Sequence, residues 1–538
     1  MDGRLLPCGE RAVLVEVAGL DEVGALRSAV RSKLGDGAFA PVVDVIPAVT
    51  TVLLTVDDPA ALDPLRAALR RLLPGLDAAS RPEAEGAPIE IGVVYDGADL
   101  DEVGGLTGLG ADGVVAAHTA SDWRVAFGGF APGFGYLTGG DPRLTVPRRS
   151  EPRTSVPAGS VGLAGSFSGI YPRASPGGWR LIGRTDAVLW DAERDPPALL
   201  QPGRRVRFRA LDGEPAAPLD TRPAVSTGST GEDATFVGDG PEPGLEVIAT
   251  GPLTLFVDEG RPGYAAIGVG RSGAADRSAY RLGGRLVGNP PGLAALEVTF
   301  GGLVLHAAQT CLIALTGADC RPRVDQRPAV HAGPLYLRAG QTLTLGAPRH
   351  GLRTYLSVAG GFAVPPVLGS ASTDTLSEIG PAGPRPGDRL RPNRSGPPPL
   401  TGVEHAPEPL SAGTLVLDVL PGPRADWLAE RDGLTRREWL VSGRSDRVGI
   451  RLEGDPLARH PDRRGDELPS EPMVRGAIQV PADGRPVIFG TDHPVTGGYP
   501  VVGVLTERSN DLVAQARPGQ ALRLRPAPVR AGLPAPWQ

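Results

Sequence analysis

Short apolar runs bounded by Gly, Pro or Asp recur along the chain. Residues 11–17, 42–46, 52–56 and 89–94 are rich in Val, Ile and Leu and are too short for helices, so they read as strands. Two segments between them carry a helical period instead. Residues 20–34 follow an acidic start, and residues 59–73 place Leu62, Leu65, Leu69, Leu72 and Leu73 on one face. The order βαββαβ predicts a small ferredoxin-like α/β domain over residues 1–96. A short helical stretch is expected over 99–117. Beyond Trp123 the pattern becomes short strands punctuated by Gly and Pro until Phe208, which predicts a β-barrel over 97–211. Two further β-rich regions span 244–392 and 412–530, with helices expected only at 271–286 and 424–440. Residues 212–243 and 393–411 supply no core face and read as linkers. The fold class is therefore mainly β with a small α/β N-terminal domain.

An internal repeat organises the β regions. Ser150-Glu151-Pro152 recurs as Ser470-Glu471-Pro472. Twenty-five residues after each proline stands a paired glycine and an aromatic, Gly177-Gly178-Trp179 and Gly497-Gly498-Tyr499. Each copy closes on a Pro-Gly and a basic-apolar strand, at Pro202-Gly203 to Phe208 and at Pro518-Gly519 to Leu524. A weaker relative of the closing element runs from Arg338 to Leu345. Three related barrel modules are expected, one in the first half and two in the second.

Composition narrows the chemistry. The chain of 538 residues holds 75 glycines and 57 prolines, about a quarter of the whole, but they separate strand-like runs rather than form low-complexity tracts. The net charge of −6 and the lack of a basic block argue against a nucleic-acid surface. No stretch has the length of a membrane span, and the first ten residues lack a signal-peptide pattern, so a cytoplasmic protein is expected. Three scattered cysteines, Cys8, Cys311 and Cys320, fit a reducing compartment and inert buried thiols. Lys33 is the only lysine and lies in a helical pattern, which excludes a Walker A loop and a biotin attached to this chain. No HExxH, CxxC or GxSxG string occurs, and the seven histidines are dispersed, so no metal site is expected. The string Gly268-Val269-Gly270-Arg271-Ser272-Gly273 lies in a β-rich setting, unlike a dinucleotide fold.

Several residues carry candidate chemistry. His118 precedes a Gly/aromatic segment, 128–136, and can serve as a general acid or base beside a pocket wall. Ser175, Gly177, Gly178 and Trp179 form a turn whose amides can cradle an anion, with Arg184 as a bidentate clamp. Thr496, Gly497, Gly498 and Tyr499 are the second copy of that turn. Asp258, Arg261 and Asp276, with Ser272 and Gly273, group acids and arginine around glycine and can orient a substrate. Asp492 and His493 are adjacent on a strand pattern and so point to opposite faces, which argues against a dyad. The active site is expected between the two halves of the chain.

These motifs also carry a family resemblance. Phe130-Ala131-Pro132-Gly133-Phe134-Gly135-Tyr136-Leu137, Pro147-Arg148, Ser175-Pro176-Gly177-Gly178-Trp179 and Leu181-Ile182-Gly183-Arg184-Thr185 resemble the B component of 5-oxoprolinase, also known as allophanate hydrolase subunit 1 or carboxyltransferase domain C/D. Gly260-Arg261-Pro262-Gly263-Tyr264, Ser272-Gly273-Ala274-Ala275-Asp276, Leu315-Thr316-Gly317-Ala318-Asp319, Ser445-Asp446-Arg447 and Val495-Thr496-Gly497-Gly498-Tyr499-Pro500 resemble its C component, allophanate hydrolase subunit 2 or carboxyltransferase domain A/B. The resemblance implies cyclophilin-like barrels. It implies a fused B/C component of an ATP-dependent 5-oxoprolinase, using ATP with magnesium to activate the lactam for hydrolysis to glutamate, with a separate 5-oxoprolinase A component as partner. Phosphorylating the lactam oxygen makes it a leaving group, and such a site needs arginines and backbone donors rather than a nucleophilic serine. Two alternatives remain. One is a carboxyltransferase acting on urea or a related amide with biotin brought by another protein. The other is a non-enzymatic binding protein of the kinase-inhibitor type. Self-association is left open.

Overall fold

The computed structural model describes residues 1–78, 86–213, 244–393 and 410–528. Both expected linkers fall almost wholly outside the described residues.

The N-terminal unit is a four-stranded antiparallel sheet in the order Arg4–Pro7, Ala12–Glu16, Thr51–Val56, Val42–Pro47. Helices Leu20–Arg31 and Leu62–Leu72 cover it, burying Val23, Leu26, Leu65 and Leu69 against Val13, Val15, Val52 and Leu54. The ferredoxin-like expectation over 1–96 is corrected at its last strand. The hairpin partner Arg4–Pro7 occupies the edge beside Ala12–Glu16, and Ile89–Val93 instead pairs in parallel with Arg205–Ala210. A local hairpin closes a shorter loop than a return from residue 89 would.

That parallel pair belongs to the first barrel, a seven-stranded sheet ordered Arg180–Arg184, Ser160–Ala164, Phe167–Ile170, Ala131–Thr138, Trp123–Gly129, Arg205–Ala210, Ile89–Val93. Paired backbone bonds between Val94 and Arg184, at 2.9 and 2.8 Å, join its two ends. Helices Leu100–Thr107 and Gly110–Ala120 pack over one end and share its core.

The C-terminal barrel repeats this topology strand for strand. It runs Leu415–Pro421, Val501–Leu505, Ala477–Gln479, Val487–Phe489, Gly449–Glu453, Glu438–Val441, Ala521–Pro526 and closes on itself. The closing strands share one alternation. Val206 and Phe208 face the first core, and Leu522 and Leu524 face the second. Outside each barrel stands a two-stranded ribbon built from the repeated motifs, Arg153–Val156 with Ser175–Gly177 and Glu471–Pro472 with Thr496–Gly497.

The middle module departs from the barrel expected over 244–392. It comprises a six-stranded and a five-stranded sheet that share one core, including Leu245, Leu305 and Leu343 from one and Leu296, Ile313 and Leu356 from the other. Its last strand, Arg389–Leu390, runs antiparallel to Leu245–Thr250, where the two barrels have parallel closure. The helix expected over 424–440 is also corrected. Only the turns Ala425–Trp427 and Gly433–Arg436 are helical, and Glu438–Val441 is a strand whose Trp439 and Val441 alternate inward. The helix expected over 271–286 begins at Arg277, because Asp276 caps it by accepting from the Ala279 amide at 2.9 Å. Among the described residues, no helix is long and apolar enough to cross a membrane.

Candidate functional site

The two barrels face each other across a cleft of about 970 Å³. The first barrel supplies an aromatic wall. Its hairpin, Trp123–Gly129 and Ala131–Thr138, turns at Phe130, which holds φ at +65°. Phe134 meets Trp179 edge to face at 5.5 Å, and Tyr136 stacks on Phe127 at 4.3 Å. Phe130, Phe134, Tyr136, Tyr171 and Trp179 all line the cleft. Opposite stand Tyr499 and two loops of the C-terminal barrel, 456–470 and 482–484.

Both repeated glycine turns open onto this space. Gly177 and Gly178 lie on one side, and Gly497 and Gly498 on the other. A β-carbon at Gly177 would fall 2.3 Å from the Tyr171 hydroxyl, so that position admits only glycine without rearrangement. Gly178 and Gly498 have nothing nearer than 3.7 and 3.5 Å, and among the described residues no protein acceptor takes their N–H groups.

Arginines complete the polar lining. Asp99 is 3% exposed and accepts from Arg149 at 2.9 Å, Arg153 at 2.8 Å and the Leu181 amide at 2.7 Å. Arg149 and Arg153 are thereby fixed beside the first turn. Arg148 and Arg464 line the cleft, and among the described residues neither is in an ion pair. Burial pushes the Tyr171 phenol up to about 12 and also raises Tyr136, so both hydroxyls keep their protons at neutral pH. Asp466, Glu467 and Asp483 bring negative charge to the C-terminal side. Among the described residues, no group of three or more His, Cys, Asp or Glu is placed to hold a metal ion. The cleft combines unbonded amides, two unpaired guanidinium groups, phenolic donors and an aromatic wall. That set suits a planar ring or amide carrying an oxyanion.

The expected site residues divide into three groups. Gly177, Gly178, Trp179, Thr496, Gly497, Gly498 and Tyr499 converge on the cleft, and Ser175 begins the ribbon strand behind it, pairing with Val156. His118 does not join them. It is fully buried on helix Gly110–Ala120, bonded to the Tyr95 hydroxyl at 2.7 Å and the Ser168 hydroxyl at 2.9 Å, and stacked on Phe208 at 4.3 Å. Burial lowers its pKa to about 3, so it stays neutral and serves the core rather than proton transfer. Arg184 also lies outside the cleft, in an exposed ion pair with Asp96 at 2.8 Å.

The third group forms a buried polar joint between the middle module and the C-terminal barrel. Asp258 accepts from the Gly260 and Ala371 amides, both at 2.7 Å, and from the Ser370 and Ser372 hydroxyls at 2.7 and 2.6 Å. Arg261, 1% exposed, donates to the Ser372 carbonyl. Ser272 donates to Asp492 at 2.7 Å, and the Gly273 carbonyl accepts from Arg447 at 2.9 Å. Asp276 takes the Gln515 amide at 2.8 Å besides capping its helix, and burial raises its pKa to about 6. Arg447 is clamped between Asp492 and Glu297. Burial opposes its charge, but those two carboxylates hold it above the usual guanidinium range. None of these residues lines the cleft. Asp492 serves this joint while His493 faces a separate cavity, so the two adjacent side chains diverge as the strand pattern implied.

The residues that sequence reading missed are Arg464 and the loops 456–470 and 482–484. As single loops rich in Gly, Pro and charge they give no local sign of a site. Only the facing of the two barrels brings them to it.

Comparison with known proteins agrees with this architecture. The family described as carboxyltransferase domain, subdomain C and D, matches residues 3–200, and carboxyltransferase domain, subdomain A and B, matches residues 267–526. The C component of 5-oxoprolinase from Escherichia coli K12 is 37% identical over 52% of this chain and 89% of its own length. The B component of 5-oxoprolinase from Escherichia coli O157:H7 is 46% identical over 31% of this chain and 77% of its own. The crystal structure of TTHA0988 superposes with a TM-score of 0.82 at 34% identity, covering 96% of this chain and 99% of that one. With both matched units in one polypeptide, the chain belongs to the carboxyltransferase-domain family as a fusion of its C/D and A/B parts, akin to the B and C components of 5-oxoprolinase.

Proposed function

We propose that this chain is the fused B/C component of an ATP-dependent 5-oxoprolinase and that the inter-barrel cleft is its active site. The observation that supports this most is the convergence of both copies of the glycine turn on one cleft, with unpaired Arg148 and Arg464 beside them. A volume near 970 Å³ stands at the upper end of the ~300–1,000 Å³ typical of small-molecule sites, enough for a nucleotide and a small lactam together.

The lining fits ATP by its donor set. ATP, when bound, supplies the phosphoryl group for activating the lactam oxygen. The Gly178 and Gly498 amides and the two arginines would hold phosphate oxygens, and the aromatic wall would take a flat ring. Magnesium would arrive with the phosphates, within reach of the acids on the C-terminal loops. The Tyr136 and Tyr171 phenols, protonated at neutral pH, would donate to the substrate and orient it. Preorganised donors around developing negative charge are the main catalytic resource of such a site. Biotin, if any is used, comes on another protein, since Lys33 sits outside the cleft. A partner resembling the 5-oxoprolinase A component would complete hydrolysis to glutamate. The three free, buried cysteines fit a reducing cytoplasm.

The test is to purify the full chain with such an A component and measure glutamate release from 5-oxoproline with and without ATP. ATP-dependent release, abolished in Arg148→Ala, is expected. Carboxyl transfer from carboxybiotin to urea with no 5-oxoproline turnover would replace the proposal with the transferase alternative. Neither activity, together with tight binding to a histidine kinase, would replace it with the binding-protein alternative.

A further inference from the structure

A second cavity lies where the N-terminal unit, the middle module and the C-terminal barrel meet. It measures about 120 Å³. One side is apolar, with Ile46, Val56, Val495 and Val504, and the other carries Arg277 and Arg475. It shares none of its lining with the inter-barrel cleft.

The two arginines are incompletely bonded. Arg475 has a side chain only 10% exposed and donates through Nη2 to the Ala275 carbonyl at 2.7 Å and to Asp511 at 2.9 Å. Its Nη1 is buried with no partner, and so is Nε of Arg277. Arg277 forms no ion pair among the described residues. Four acids also line the cavity, and each has a partner elsewhere. Asp57 pairs with Arg271, Glu507 with Arg11 at 3.6 Å, Glu10 accepts the Glu507 amide at 2.8 Å, and Asp44 accepts the Ala265 amide at 3.2 Å. His493 directs Nδ1 to the Pro494 carbonyl at 2.8 Å and adds no negative charge. Burial, then the neighbouring Arg475 and Arg271, bring the Arg277 pKa down to about 9, the mark of a cation lacking its counter-charge.

We propose that this junction cavity binds a small monocarboxylic acid, whose carboxylate takes the free N–H groups of Arg277 and Arg475 and whose carbon chain lies against Ile46, Val495 and Val504. Buried guanidinium groups with open donors call for an oxyanion. The apolar half favours a carboxylate with a short hydrocarbon tail over phosphate, which is polar on every side. The site is built from three structural units, so a ligand there would hold them together. The segment from Ala265 to Gly270 lines the cavity at both ends, and between them Gly268 packs against the Ala131 carbonyl of the cleft hairpin.

The experiment is calorimetric titration and thermal denaturation of the full chain with acetate, butyrate and inorganic phosphate. Saturable binding is expected for butyrate, weaker binding for acetate and none for phosphate. Arg277→Leu removes an unpaired buried cation and is expected to fold, while weakening butyrate about tenfold or more. Arg277→Lys, which keeps the charge but loses the fork, is expected to weaken it less and covers the case in which Arg277→Leu fails to fold. Absence of saturable carboxylate binding, phosphate binding as tightly as butyrate, or full affinity retained in a folded Arg277 variant would each overturn the proposal. Arg148→Ala separates the two sites, since it should abolish turnover at the cleft yet leave butyrate binding intact. Loss of butyrate binding in that variant would place the ligand in the cleft and overturn the junction site.

Discussion

The amide of Phe130 donates a hydrogen bond to the Thr496 hydroxyl at 3.2 Å across 366 residues of sequence. Phe130 belongs to the aromatic wall and Thr496 to the second glycine turn, so the cleft walls are bonded at their base. The fit is close. A β-carbon on Gly129 would fall 2.6 Å from the same Thr496 oxygen. Thr496→Val keeps the shape and removes the acceptor. It should cost about 1 kcal/mol in chemical denaturation and raise KM more than it lowers kcat, because it loosens the spacing of the walls.

The glycines of each turn should behave differently under the same substitution. Gly178→Ala and Gly498→Ala meet open space, so melting temperature should hold while turnover falls about tenfold as a methyl group intrudes among the bound groups. Gly177→Ala drives a β-carbon into the buried Tyr171 hydroxyl and should destabilise by about 1–3 kcal/mol. Equal melting temperatures for Gly177→Ala and Gly178→Ala would contradict the geometry of the first turn.

Two arginines on the same barrel offer a direct contrast. Arg148→Ala should cut turnover by about a hundredfold, the usual scale for losing one preorganised donor to transition-state charge. Arg184→Ala should leave turnover unchanged, because its side chain makes only an exposed pair with Asp96. Steady-state kinetics on the two variants decides between the cleft and the site that sequence reading placed at Arg184.

His118 predicts a pH effect on stability and none on catalysis. Its folded pKa, about 3, lies below the unfolded value near 6.5. Its contribution is thus fully present above about pH 6.5 and is lost progressively as pH falls from there toward 3. His118→Gln, able to keep bonds to Tyr95 and Ser168, should flatten that part of the denaturation profile while leaving the pH–rate curve in place. A shifted rate profile would return His118 to the chemistry.

What the sequence made legible follows from what is local or repeated. Strands such as Thr51–Val56 and the helix Leu62–Leu72 emerge within a few residues of their expected bounds, because one buried face leaves a period that needs no partner to be read. The duplicated Ser-Glu-Pro and Gly-Gly motifs located the two ribbons, and through them the cleft. The partner of Ile89–Val93 was not legible, since any strand-like run can pair with any edge and only loop closure decides. The segment around Trp439 was read as helix because its apolar residues fit both periods. Asp258, Arg261 and Asp276 were read as chemistry for a related reason: a buried polar joint and an active site draw on the same residue types, and only placement separates them.

The covalent fusion of the two barrels has a consequence for assembly. The E. coli relatives carry the corresponding parts as separate polypeptides, which must meet before both halves of such a cleft exist. Here one chain delivers both in fixed one-to-one stoichiometry, at a local concentration set by the tether rather than by expression level. Dilution that would separate two independent polypeptides leaves this pair of walls together.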